Sequence, residues 1–139
     1  MDREGRRRVP CVGAIVRDAD RLLLVKRGTE PGRGLWSVPG GRVEPGETGR
    51  DAVVRELAEE TALPVVPEEV AGTVERDGPG GVVYVIEDWF ARVAPGTDPG
   101  GVRAGDDADE ARWVPLTDVA ALPLVDGLLD ALRDWHVVS

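Results

Sequence analysis

The chain has 139 residues, of which 42% are hydrophobic and 31% charged, values that fit one globular domain with a single core and exclude a disordered segment. A formal charge of −9 argues against binding to nucleic acid or to an anionic membrane surface. No apolar run approaches the ~18 residues that span a bilayer, and the single cysteine, Cys11, can close no internal disulfide.

The first ten residues, MDREGRRRVP, are charged and contain no apolar segment of signal-peptide type. Residues 1–8 are read as a basic, frayed tail and residues 9–139 as one domain. With a lone thiol this predicts a cytoplasmic protein, and Cys11 itself reads as a small buried hydrophobe.

Residues 9–16 (VPCVGAIV) predict a buried strand, and residues 21–27 (RLLLVKR) its hairpin partner across a short polar turn. A loop at 28–34 leads to a short strand at 35–38, which Pro39-Gly40-Gly41 breaks before residues 42–43 resume it. A helix is predicted from Thr48, as N-cap, to about residue 61, and Pro64 ends it. On its wheel Val53, Val54, Leu57, Ala58 and Thr61 share the apolar arc; Glu56, Glu59 and Glu60 share the other. Strands follow at 69–76 and 82–93, the second rich in β-branched and aromatic residues. A long Gly/Pro/Asp loop at 94–109 precedes a last short strand at 111–114. Thr117 is expected to cap a helical turn, and residues 124–135 to form an amphipathic helix. Strands and helices mix without regular βαβ alternation, so the expected class is α/β, a sandwich on a mixed sheet.

The chemistry concentrates in residues 41–63, GRVEPGETGRDAVVRELAEETAL. Glu56, Glu59 and Glu60 lie at i, i+3 and i+4 on one helical face, where like charges repel unless a cation sits among them. Hard oxygen donors suit Mg²⁺ or Mn²⁺, and the only histidine, His136, leaves no Cys/His zinc set. A carboxylate-bound Mg²⁺ keeps waters and meets substrate phosphates, so the negative net charge does not exclude a phosphate substrate. The glycines before the helix let backbone approach a ligand closely.

Gly41, Glu47, Arg55, Glu56, Leu57, Glu59, Glu60 and Leu63 match eight of the nine specified positions of the Nudix box, with both spacers intact. The stretch therefore resembles the signature of the Nudix hydrolases, and Leu35-Trp36-Ser37-Val38-Pro39-Gly40 resembles the segment that leads into it. The resemblance implies a Nudix-type α/β/α sandwich around a mixed sheet. It also implies Mg²⁺-dependent hydrolysis, with Mn²⁺ able to substitute, of a diphosphate linked to a nucleoside. Carried over, Glu56, Glu59, Glu60 and the Gly40 carbonyl would hold the metal, with Glu59 the candidate to act on the attacking water. Glu47 and Arg55 would brace the loop beside Gly41. Asp107 would be a further catalytic acid from the loop before the last strand, with Asp106 beside it at the substrate. Ala62 stands where the family has glycine.

Arg27 and Arg42 are candidates for substrate phosphate, with Arg33 an alternative. Trp36 is a candidate for stacking on a base, with Trp89 and Trp113 alternatives; a core role is open for each. Trp135 is expected to pack on the sheet. Pro79, 16 residues after Leu63, and the 105–116 segment resemble short ADP-ribose pyrophosphatases. The expected substrate is accordingly a nucleoside diphosphate linked to another moiety, ADP-ribose first. The alternatives are a nucleoside triphosphate pyrophosphatase and a non-catalytic nucleotide sensor. Relatives of this kind commonly form homodimers, which extends the same expectation to this chain.

Overall fold

The computed structural model describes residues 4–139. Among them, β1 (Arg8–Asp18), β2 (Arg21–Arg27), β3 (Trp36–Ser37), β4 (Gly40–Arg42), β5 (Val65–Asp77), β6 (Val83–Val93) and β7 (Ala108–Pro115) form one mixed sheet. β1 runs parallel to β6 and antiparallel to β2 and β4. Its edge opposite β6 is shared, β4 taking Cys11–Gly13 at one end and β2 taking Arg17 and Asp18 at the other. The sheet splits at that point, and Pro39 fills the gap by accepting the Ala14 N–H at 2.9 Å. β1 is central and covered on both faces, which is why residues 11–16 are buried without alternation.

Helix α1 (Gly49–Thr61) covers one face through Ala52, Val53 and Leu57, packed on Val12, Ala14, Val16 and Ala91. Helix α2 (Leu128–Asp134) covers the other through Leu128 and Leu132, packed on Ile15, Leu22, Leu24 and Trp36. The architecture is thus the expected α/β/α sandwich. No helix among the described residues is long and apolar enough to cross a membrane.

Several expectations change in detail. β1 opens at Arg8, and the tail residues Arg6 and Arg8 are tied to Asp77 at 3.0 Å and Glu75 at 2.8 Å. Gly40 and Gly41 do not break a strand but form β4, because a glycine backbone can pass directly over Val12 and Gly13 where any Cβ would collide. β5 begins at Val65, four residues early, and β7 begins at Ala108, not 111. On α1 the buried arc is Ala52, Val53, Leu57 and Thr61; Val54 and Ala58 face solvent. Thr117 caps nothing and sits inside a 3-10 turn, Leu116–Ala121. The last helix is only α2, because residues 123–125 bond the Trp36 backbone instead: Trp36 N–H donates to Pro123 O at 2.8 Å and Val125 N–H to Trp36 O at 3.0 Å. Gly127, with φ at 81°, then turns the chain into the helix.

Both ends of α1 are chemically specified. Thr48 Oγ1 accepts the Asp51 N–H at 3.1 Å, and Asp51 accepts the Thr48 N–H at 3.3 Å, a reciprocal capping box. At the other end Ala62 adopts φ 62°, ψ 14°, the left-handed geometry that favours glycine. Ala62→Gly is expected to stabilise the fold by about 1 kcal/mol. Urea unfolding should show a higher midpoint at unchanged slope; an unchanged or lower midpoint would contradict the strain.

One buried group sits apart from these patterns. Asp88 on β6 is 3% exposed, and its Oδ1 has no hydrogen-bond partner. Burial pushes its carboxyl up from 3.8 to about 7, against a smaller opposite pull from Arg76. A raised folded pKa means that folding takes up a proton between about pH 4 and 7, so this group's contribution is full below pH 4 and lost by pH 8. The loss is on the order of 4 kcal/mol. Asp88→Asn is expected to flatten the pH dependence of the melting temperature across that window. An unchanged slope would mean the carboxyl titrates normally.

Candidate active site

The site is built where α1 meets β4. Arg55 is its centre. Nε donates to Glu47 Oε2 at 2.7 Å and Nη2 to Glu47 Oε1 at 2.9 Å, a two-bond fork that ties the box loop to the helix. Nη2 also donates to the Arg42 carbonyl at 2.9 Å. Nη1 donates to Glu56 Oε1 at 2.9 Å and to Glu59 Oε2 at 3.2 Å. The Arg55 hydrogen bonds, with one from the Glu44 N–H, hold the Glu47 carboxyl down at about 2. Arg55 is in turn held protonated, chiefly by Glu47.

Part of the cation expected among the three glutamates is therefore already supplied by Arg55. It reaches Glu56 and Glu59 but makes no contact with Glu60. Glu60 instead accepts the Gly40 N–H on Oε2 at 3.0 Å. Burial, opposed by that hydrogen bond and reinforced by Glu56, lifts the Glu60 carboxyl to about 7. Burial also raises Glu56, with the Arg55 hydrogen bond opposing. Negative charge is thus under-compensated at Glu56 and Glu60 together.

Two glycines make this packing possible. A Cβ on Gly41 would fall 2.5 Å from the Glu56 carboxylate, which would have to turn away from β4. A Cβ on Gly105 would come closer still, against the backbone carbonyl of Glu59, so this position needs glycine. The Gly105 N–H donates to Glu60 O at 2.9 Å, and the Arg103 N–H donates to Thr61 O at 2.9 Å. The loop before β7 thereby satisfies the last carbonyls of α1, which a helix leaves open, and brings Asp107 into the field of Glu60.

A Nudix family model, described as the NUDIX domain, matches residues 7–135. The chain belongs to the Nudix family. An ADP-ribose pyrophosphatase from Methanocaldococcus jannaschii is 37% identical over 81% of this Nudix chain and 64% of its own length. The human 8-oxo-dGDP phosphatase NUDT18 is 35% identical over 73% of this chain, which spans only 30% of that protein. Among solved structures, the MutT protein of Methanosarcina mazei superposes with a TM-score of 0.81 at 25% identity, over 96% of both chains.

The remaining Nudix candidates separate in space. Arg27 acts electrostatically on Glu60, while its Nε is committed to Pro31 O at 2.6 Å. Arg42 lies outside the carboxylate face: its Nη2 donates to the Tyr84 hydroxyl at 3.1 Å and its guanidinium lies over that ring. Arg33 donates to Gly28 O at 3.2 Å. Asp106 and Asp107 are exposed beside the end of α1. Trp36 departs from expectation: it is 4% exposed, packed under α2 with Arg112 over its ring at 4.6 Å, so no face is open to a base. Trp89 and Trp113 are likewise overlaid, by Arg50 and Arg21. Pro79 starts a 3-10 turn, Pro79–Gly81, at the tip of the β5–β6 hairpin. Gly78 beside it lies against the Tyr84 ring, whose hydroxyl accepts from Arg42.

Sequence reasoning missed Gly105, Tyr84 and Asp88. Asp88 had a signal: an acid between Ile86 and Trp89–Phe90, in the most β-prone run of the chain.

The donor set fits a divalent cation of Mg²⁺ type. Glu56, Glu59 and Glu60 are hard oxygens, two of them half-buried and raised by that burial. Among the described residues no three His, Cys, Asp or Glu side chains are gathered closely enough to hold a metal ion as they stand.

Proposed function

We propose that the chain is a cytoplasmic Mg²⁺-dependent pyrophosphohydrolase that cleaves a nucleoside diphosphate linked to another moiety, with ADP-ribose the favoured substrate. The observation that carries this reading is the half-buried Glu60, raised to about 7 and held by the Gly40 amide beside two further glutamates. Mg²⁺ held by Glu56, Glu59, Glu60 and the Gly40 carbonyl would offset phosphate charge and lower the pKa of a bound water. The chain's own part is placement. Arg55 fixes Glu56 and Glu59 in one geometry, and the Gly40 amide fixes Glu60. Glu59, more exposed and carried on the helix edge, is the group to take a proton from the attacking water. Arg27 and Asp107, both acting on Glu60, would flank the leaving phosphate, with Asp107 assisting from the loop before β7.

The relative from Methanocaldococcus jannaschii supports the choice of ADP-ribose by its name. The test is a substrate panel with Mg²⁺ and Mn²⁺ and products identified by mass. ADP-ribose should give AMP and ribose 5-phosphate. A nucleoside monophosphate with pyrophosphate would assign the chain to triphosphate cleavage instead, and binding without turnover would make it a sensor. Asp107→Asn is expected to lower kcat by roughly tenfold or more with an unchanged melting temperature; full activity would return Asp107 to loop solvation.

A further inference from the structure

A guanidinium carries five N–H groups, and in Arg55 all of them are spent. Nε and one Nη2 N–H go to Glu47, and the other Nη2 N–H goes to the Arg42 carbonyl. The two on Nη1 go to Glu56 Oε1 at 2.9 Å and Glu59 Oε2 at 3.2 Å. A further acceptor stands beside them. Glu44 Oε1 lies 3.6 Å from Nη1, within ion-pair range but too far for a hydrogen bond. The Glu44 side chain is 61% exposed and has room to move. Its backbone is fixed: the Glu44 N–H donates to Glu47 Oε1 at 2.8 Å, the same oxygen that takes Arg55 Nη2. Glu44 is thus a carboxylate held at the guanidinium with no N–H left for it.

The three glutamates of the box are not gathered closely enough to share a cation as they stand, so at least one of them has to move. They differ in freedom. Glu60 is half-buried and accepts the Gly40 N–H at 3.0 Å. Glu56 is 17% exposed and makes the shorter of the two Nη1 bonds. Glu59 is 61% exposed and makes the longer one. Glu59 therefore leaves Arg55 at the least cost. Its departure strips one Nη1 N–H of its acceptor and removes a negative charge from the guanidinium just as a second cation arrives nearby.

We infer that Glu44 is a positioning residue of the metal site: it takes over the Arg55 Nη1 hydrogen bond that Glu59 gives up, which frees Glu59 to join Glu56 and Glu60 around the cation. The inference rests on the metal-dependent function proposed above. Glu44 touches neither metal nor substrate and acts through Arg55. Closing the 3.6 Å gap needs only a side-chain adjustment, because the backbone stays tied to Glu47. The exchange keeps the charge around Arg55 constant, since one carboxylate leaves the guanidinium as another reaches it. The Glu47 fork is untouched, so the box loop keeps its shape while Glu59 changes partner.

Binding of Mn²⁺ alone, followed by the electron paramagnetic resonance signal of the free ion, tests this without nucleotide or turnover. Glu44→Gln should weaken the Kd for Mn²⁺ by roughly three- to fivefold, the size of an exposed ion pair, with the melting temperature before metal addition unchanged. Glu44→Asp keeps the charge but shortens the reach by one methylene, and should weaken the Kd to a similar extent. A wild-type Kd in Glu44→Asp would mean that loop charge acts at a distance, and would overturn the inference. So would an unchanged Kd in Glu44→Gln, or a fall in melting temperature with the Kd untouched, which would leave Glu44 a brace of the box loop. Glu60→Gln separates the two proposals. If it binds Mn²⁺ as the wild type does, the metal set proposed above fails. If it loses the ion while Glu44→Gln holds it at the wild-type Kd, the role of Glu44 alone fails.

Discussion

Glu60→Gln is expected to lower kcat by roughly 10²–10³-fold while leaving the fold at least as stable as the wild type. The amide oxygen can still accept the Gly40 N–H now held by Oε2 at 3.0 Å, so the geometry survives. What disappears is the negative charge. That charge is costly in the folded protein, because burial lifts the group to about 7 and Glu56 adds to it. The sign follows: a carboxyl raised in the folded state weakens stability as pH climbs through that range, so the glutamine variant should melt higher than wild type at pH 8. A group kept at a stability cost, whose loss removes turnover, serves chemistry and not folding. Steady-state kinetics at saturating Mg²⁺ and thermal melts on one sample separate the two effects. Near-wild-type kcat would remove Glu60 from the candidate metal set.

Arg55→Lys is expected to lose both stability, by about 2–3 kcal/mol, and activity. Arg55 makes five hydrogen bonds, to Glu47 twice, Glu56, Glu59 and the Arg42 carbonyl. A lysine keeps the charge but cannot present a planar fork to Glu47 and also reach Glu56 and Glu59. Arg55 is only 22% exposed and Glu47 17%, so salt screens the fork weakly and solvent replaces it poorly. The glutamates released would repel on one helical face. Urea unfolding measures the first effect and kcat the second. A lysine variant equal to wild type in both would show that charge alone, not the fork, organises the box.

These two residues also mark how far the chain could be read without coordinates. Glu47, Arg55 and the three glutamates stand at fixed spacings within one helix and its entry loop, so local geometry alone predicts that they meet. Thr48 as N-cap was legible for the same reason, since its partner Asp51 is three residues away. The wheel went wrong at Val54 and Ala58 because amphipathicity reports polarity and not which sector of a helix a sheet covers; Ala52 is buried though it is small and Val54 is exposed though it is large. Glycine and proline normally punctuate strands, so the sequence reads a break at β4, whereas here the close approach of the Val12 backbone to Gly40 requires glycine. The last helix was read too long because residues 124–125 are apolar in the helical register, while the Trp36 backbone claims their hydrogen bonds.

The amino-acid sequence by itself determined the chemical identity of the site: one helix face of hard oxygen donors, a guanidinium to order them and a glycine-rich entry. Each depends on contacts within about twenty residues of chain. The tertiary structure alone decided which groups stand open and which are spent. It buried Trp36 behind Arg112, turned Arg42 to Tyr84, set the 105–107 loop on the end of α1 and aligned Asp88 with three glycines from three other strands. The reason is physical: strand register and burial depend on pairings between distant segments, and no local periodicity encodes which residues meet across a sheet.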